Sequence, residues 1–291
     1  MNDEVEMSAL LGVHPAQFLA VVDIPEFTWD AECVVLYADV RSLWLGNSSA
    51  SEESFAKYVS LLPAYEQLAL KKYHFRSDAV QHLVSLLLQH AVISQLQGIA
   101  WKDSRITRST SGRPSYQSAR FDYNVSHHGG LVAIGVRTVN SKRIGVDIVD
   151  IDEATKNWRS GWENDFHDVF TENEYKTILS ERDSYKIKRR LFTFWALKEA
   201  YTKAIGVGLL SDLKSVEFTN VGDIDVSGLD HYSKTLCKVN GEPIDWRFEL
   251  FALEKTVIMA VATSNDDLLE NKTSVKLINL QDIIKAVHSV T

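Results

Sequence analysis

Cysteine is scarce in this chain: Cys33 and Cys237 are its two thiols. That excludes a disulfide-stapled scaffold and a cysteine-rich metal site, and it fits a reducing compartment with both as small buried thiols. Long apolar runs are also missing. None approaches the roughly 20 residues of a membrane-spanning helix. The N-terminus, Met-Asn-Asp-Glu-Val-Glu, lacks the basic start of a signal or transit peptide. Positive charge is in deficit, and a formal net charge of −8 argues against a general nucleic-acid binder. There is no Walker-type lysine loop, no dinucleotide fingerprint, no Gly-x-Ser-x-Gly elbow and no cysteine in a nucleophile setting. These absences leave a soluble, cytoplasmic protein as the expectation, with 291 residues to bury one large core or two modest ones.

What is present begins with patterning. Val34–Val40 reads as an early strand. The spacing of Val80, Leu83, Val84, Leu87, Leu88, Ala91 and Val92 predicts a helix over Asp78–Leu96, closed by Gly98. Ser109–Ser115 has loop composition. Leu131–Val136 and Ile144–Ile151 read as strands on either side of a turn around Asn140 and Ser141. Thr171-Glu-Asn-Glu174 has capping-box spacing and opens a short helix. A longer helix is predicted over Tyr185–Ile205, ending at Gly206, followed by strands at Ser215–Thr219, Trp246–Leu253 and Thr256–Thr263. In each half a long helix precedes an apolar strand. The fold class expected is therefore α+β, as two similar halves, 1–140 and 141–291, packed closely around a shared cleft.

Several segments carry chemistry. Glu199 and Lys203 lie one helical turn apart in the predicted long helix, so a carboxylate and an ammonium share a face. Such a pair often only stabilises a solvated helix, by about 0.2–0.5 kcal/mol; it also suits a metal-bound phosphate ester. Asp147 interrupts an apolar strand, on the face shared by Gly145 and Val149. It reads either as a strand-edge residue or as a ligand for a hard cation such as Mg²⁺. Asn124-Val-Ser-His-His-Gly-Gly130 offers Ser126 and His127 as donors to an anion, with Gly129 and Gly130 letting it approach the backbone. Read otherwise, these residues satisfy a turn, with Asn124 as the turn former. Zinc is disfavoured for the histidine pair, because no further His or Cys lies nearby at ligand spacing. Arg108 and Arg113 flank a Ser-Thr-Ser-Gly loop, and arginines so placed fork onto phosphate or are simply solvated. Lys186, Lys188, Arg189 and Arg190 form a basic cluster before Trp195. Carboxylates for a cation, cationic and hydroxyl donors for phosphates, and no protein nucleophile together point to direct transfer of a phosphoryl-type group to an outside hydroxyl.

The ordered set Gly112-Arg-Pro114, Asn124-Val-Ser-His127, Gly145-Val-Asp-Ile148 and Trp195-Ala-Leu-Lys-Glu-Ala-Tyr-Thr-Lys203 resembles the 4′-phosphopantetheinyl transferases. Within them it is similar to the large monomeric type that includes eukaryotic enzymes priming aminoadipate reductase or fatty-acid synthase. The resemblance spans roughly Tyr73 to Leu210. It implies two α+β halves with coenzyme A between them, and transfer of phosphopantetheine from coenzyme A to a serine of an apo carrier protein, with release of adenosine 3′,5′-bisphosphate. It further implies Mg²⁺ on Asp147 and Glu199, Glu199 as base, and Lys203 neutralising charge on the phosphates. Arg113, Ser126 and His127 would serve the 3′-phosphate and nearby groups, with Asn124 in the same motif and Arg108 as a further phosphate partner. The basic cluster would help dock an acidic carrier. Three positions depart from the family pattern. Val149 stands where many members carry a second acid, leaving water or a neighbour such as His128 as third metal ligand. Ala69 stands where a basic residue is often found, with Lys71 and Lys72 close by. Arg113 replaces the usual lysine of Gly-Lys-Pro. A metal-dependent coenzyme A or nucleotide phosphohydrolase, and a non-catalytic carrier-binding module, are the alternatives.

Overall fold

A computed structural model of the chain describes residue 29 and residues 31–44, 49–116, 120–138, 142–159, 162–208, 212–228, 230–264 and 273–290. The turn expected around Asn140 and Ser141 lies outside them. The main strands are β1 (Cys33–Asp39), β2 (Asp122–His128), β3 (Leu131–Arg137), β4 (Ile144–Asp150), β5 (Trp246–Ala252), β6 (Val257–Ser264) and β7 (Ser274–Leu277). The helices that matter for the site are α1 (Arg76–Gln97), α2 (Ser184–Ile205) and α3 (Leu280–Val290).

The same topology occurs twice. In the first half a strand, a long helix and a hairpin (β1, α1, β2–β3) give the sheet order β1-β3-β2; in the second, β4, α2 and the hairpin β5–β6 give β4-β6-β5. Both helices are 22 residues long and close on a left-handed glycine, Gly98 at φ 63° and Gly206 at φ 72°. That conformation carries no steric penalty without a Cβ. Each helix covers the outer face of its own sheet. Leu83, Leu87 and Val84 meet Val132, Ile134 and Val136 in the first half; Leu197, Ala200 and Ala204 meet Ala260 and Ala262 in the second. The inner faces of the two sheets share a third core that includes Val35, Ala133, Val146, Ile148, Met259 and Val261. The layers run helix, sheet, sheet, helix, which agrees with the α+β class and the two similar halves expected.

The layers do not follow the chain simply. β7 pairs in parallel with β1, and α3 buries Ile283, Ile284 and Val287 in the first core, so the C-terminal segment completes the first half. Cys33 and Cys237 are buried free thiols, pushed up to about 11 and about 12 chiefly by burial. Among the described residues no helix is long and apolar enough to cross a membrane.

Candidate functional site

The site begins with a glycine. A Cβ on Gly145 of β4 would lie 1.9 Å from the Ala200 carbonyl oxygen and 2.9 Å from Ala204 Cβ, so only glycine lets α2 settle this closely on the strand. One turn along α2, Lys203 Nζ then reaches Asp147 Oδ1 at 2.6 Å and Ser126 Oγ at 2.8 Å. Ser126 in turn donates to Asp147 Oδ1 at 3.0 Å and accepts from the Ile148 N–H at 3.2 Å. Its hydroxyl therefore has a full set of partners before any ligand arrives.

β2 and β4 are edge strands of different sheets, and side chains rather than backbone join them. Asp122, Asn124, Ser126 and His128, alternate residues of β2, accept the N–H groups of Ile144, Val146, Ile148 and Asp150 at 2.9, 3.0, 3.2 and 2.8 Å. This ladder corrects the turn reading of Asn124–His128: the segment is a strand whose polar residues bond across the boundary between the halves. Asn124 is buried, with its carbonyl on Val146. Arg113 locks the same seam. Its Nε donates to Lys203 O at 2.9 Å, its terminal nitrogens to both Asp122 carboxylate oxygens at 2.6 and 2.7 Å, and one of these also to Ile144 O at 2.7 Å. The guanidinium expected to fork onto phosphate thus forks onto Asp122. Arg108 remains exposed, with one bond to Gly112 O at 3.1 Å.

A cleft of about 640 Å³ opens between the halves, floored by Ser126, His127, Asp147, Glu199 and Lys203. An aromatic wall of Trp158, Phe166, Phe192 and Trp195 closes one side. A smaller cavity of about 280 Å³ lies beyond it, bounded by Gly112, Arg113, Asn124 and Gly206. Glu199 and Lys203 border both. Burial, and then the Asp147 charge, raise the Glu199 carboxyl above its ordinary range, while Lys203 opposes the shift. His127 is exposed to the cleft on its outer face, yet the surrounding chain, with Lys203, His82 and His128 beside it, pushes its imidazole down to about 4. It is neutral at pH 7 and can give one N–H to an anion. Among the described residues no cluster of three or more His, Cys, Asp or Glu side chains is arranged to hold a metal.

The structure therefore brings Asn124, Ser126, His127, Asp147, Glu199 and Lys203 together, and places Arg113 beneath them as a clamp. The basic cluster is taken apart. Arg189 is buried against Ile224 O and Lys255 O, and Arg190 pairs with Asp223 at 2.6 Å and Glu181 at 3.1 Å. Of the four, that leaves Lys186, together with Lys188, whose ammonium sits 5.8 Å from the Trp158 ring. Sequence reasoning missed Asp122 and the aromatic wall. Asp122 carried no signal. The wall had one, in the aromatics scattered from Trp158 to Phe166.

Two family models match the chain. One, described as the 4′-phosphopantetheinyl transferase superfamily, covers residues 143–262; the other, described as 4′-phosphopantetheinyl transferase, N-terminal, covers residues 47–138. Several relatives share the name L-aminoadipate-semialdehyde dehydrogenase-phosphopantetheinyl transferase, among them a yeast, a rat and a human protein. The Schizosaccharomyces pombe protein is 33% identical over 169 residues, which are 51% of this chain and 62% of that one. The rat protein is 24% identical over 302 residues, covering 96% and 92%. The human protein is 26% identical over 251 residues, covering 78% of each. A Thermotoga maritima holo-[acyl-carrier-protein] synthase structure overlaps 42% of this chain and 61% of its own at 19% identity, with a TM-score of 0.27.

Proposed function

The chain belongs to the 4′-phosphopantetheinyl transferase superfamily, and from that premise we propose that it moves phosphopantetheine from coenzyme A to a serine of an apo carrier domain. The names of its relatives favour the carrier domain of an aminoadipate-semialdehyde dehydrogenase. The observation that carries the reading is the convergence of Lys203 and Ser126 on Asp147, with Glu199 on the same cleft floor, at the seam of the two halves.

Magnesium fits the donor set. Asp147 and Glu199 would offer hard carboxylate oxygens from the cleft floor, and Mg²⁺ commonly takes one or two carboxylates with water and substrate phosphate. Held there, it would supply charge neutralisation for the pyrophosphate of coenzyme A. The chain's own residues do the rest. Glu199, its affinity for a proton already raised, takes the proton of the carrier serine, directly or through water. The serine oxygen bonds to the β-phosphorus as the bridging P–O bond breaks, and its electron pair leaves with adenosine 3′,5′-bisphosphate. Lys203 meets the charge that builds on the phosphates. Neutral His127 donates to a phosphate oxygen, while Arg113 and Asn124 hold the seam on which these groups stand.

The test is intact-mass spectrometry of apo carrier domains incubated with the protein, coenzyme A and Mg²⁺. A phosphopantetheine-sized gain that EDTA abolishes is expected. Released nucleotide with no carrier modification would replace the transferase with a phosphohydrolase. Coenzyme A binding with no chemistry on any carrier would replace it with a binding module.

A further inference from the structure

His128 follows the Ser-His pair and ends the ladder between the halves. The Asp150 N–H donates to its Nδ1 at 2.8 Å. A backbone N–H can only donate, so Nδ1 presents a lone pair, and the hydrogen of the neutral ring sits on Nε2. His128 is one of the residues lining the large cleft, with Ile148, Val149 and Ala154 among the others. Among the described residues Nε2 has no hydrogen-bond partner. Coordinating a metal through Nε2 would move the hydrogen to Nδ1 and set it against the Asp150 N–H, breaking the rung.

We infer that His128 is a substrate-binding donor: the ladder holds its Nε2–H towards the large cleft, where it hydrogen-bonds an acceptor oxygen of the phosphopantetheine part of coenzyme A. It is not the third metal ligand. The inference rests on the transferase reading, which puts that arm in the cleft. It gives the ladder a second use: the bond that spaces the two halves also selects the tautomer that faces the substrate.

Two substitutions separate spacing from binding. His128→Asn keeps an acceptor near the Nδ1 position and so keeps the rung, but removes the donor in the cleft. His128→Gln carries a donor out to the Nε2 position and gives up the rung. Calorimetry in Mg²⁺-free buffer, with coenzyme A, phosphopantetheine and adenosine 3′,5′-bisphosphate as separate probes, reads the result. His128→Asn is expected to bind coenzyme A and phosphopantetheine about tenfold more weakly, with unchanged affinity for the bisphosphate and an unchanged melting temperature. His128→Gln is expected to keep more of the phosphopantetheine affinity and to melt lower. Wild-type affinity in His128→Asn would reduce His128 to a rung alone, and a change confined to Mn²⁺ binding would make it a metal ligand. Nitrogen-15 NMR of the imidazole supplies a readout independent of affinity, because a hydrogen on Nδ1 would overturn the inference. If the wild-type protein binds no coenzyme A, the transferase reading falls first and this inference with it.

Discussion

Each half of the molecule holds a line of polar side chains beside its long helix, and the two lines have opposite fates. In the first half, Ser104 Oγ, His90 and Glu66 are joined at 2.8 and 2.9 Å in the order of a hydrolytic relay. All three are buried, and the Ser104 hydroxyl already donates to Trp101 O. In the second half, Lys203, Asp147 and Glu199 border open space. Residue type does not separate these lines, since a carboxylate and a nitrogen base occur in both. Access does, and access follows from how each helix meets its sheet. α1 stands off on leucine and valine side chains, whereas α2 presses its backbone onto Gly145. A helix held off by large side chains seals what lies beneath it. One seated on glycine at a sheet edge carries its polar residues to the rim.

The contrast can be broken from either side. The largest effect is expected from Glu199→Gln, which keeps shape and removes the proposed base: turnover on a carrier should fall about 10²–10⁴-fold, with coenzyme A binding retained. Near-wild-type turnover would take Glu199 out of the base role. Gly145→Ala strikes the seating of α2 itself. Overpacking of this kind costs about 1–3 kcal/mol, and the melting temperature and turnover should fall together; a fully active, fully stable variant would show that the close approach is dispensable. Glu66→Ala tests the sealed line. It strands one nitrogen of His90, at about 1–3 kcal/mol for a buried unsatisfied group, and should lower stability while turnover per folded molecule stays unchanged. Lost turnover at full folding would give that line a catalytic role. The smallest effect is electrostatic. In the metal-free protein, burial and then the Asp147 charge should hold the Glu199 titration above the ordinary carboxylate range near about 4.3. Lys203 opposes that rise, so Lys203→Met should move the Glu199 titration, followed by carbon-13 NMR, to still higher pH; a downward shift would contradict the arrangement.

Much of this was legible in the sequence. The two long helices, their glycine stops, the capping box at Thr171 and the strands carrying Asp147 and Val132 came from periodicity and end signals that act over a few residues. β2 was misread because its polar positions alternate for a reason that lies in another strand: Asp122, Asn124, Ser126 and His128 each serve an N–H 22 residues away. Long-range partners also decided the charges. Arg113 loses its expected freedom to Asp122 and the Lys203 carbonyl, and Arg190 to Asp223, pairings that depend on the finished fold. Glu199 and Lys203 could be placed on one helix face in advance. That Lys203 would sit on Asp147 depended on how deeply Gly145 admits the helix.

The return of β7 and α3 to the first layer has a consequence for synthesis. Val34 of β1 pairs with Ser274, about 240 positions later in translation. At about 5–20 residues per second, β1 waits on the order of ten seconds or more with one edge uncovered. Most of that interval is spent making the second half, whose last strand β6 ends at Ser264, ten residues before Ser274. An edge strand left uncovered for that long is an aggregation hazard. Truncating the chain after β6 should therefore spare the layer that carries Glu199 and expose the one that carries Ser126.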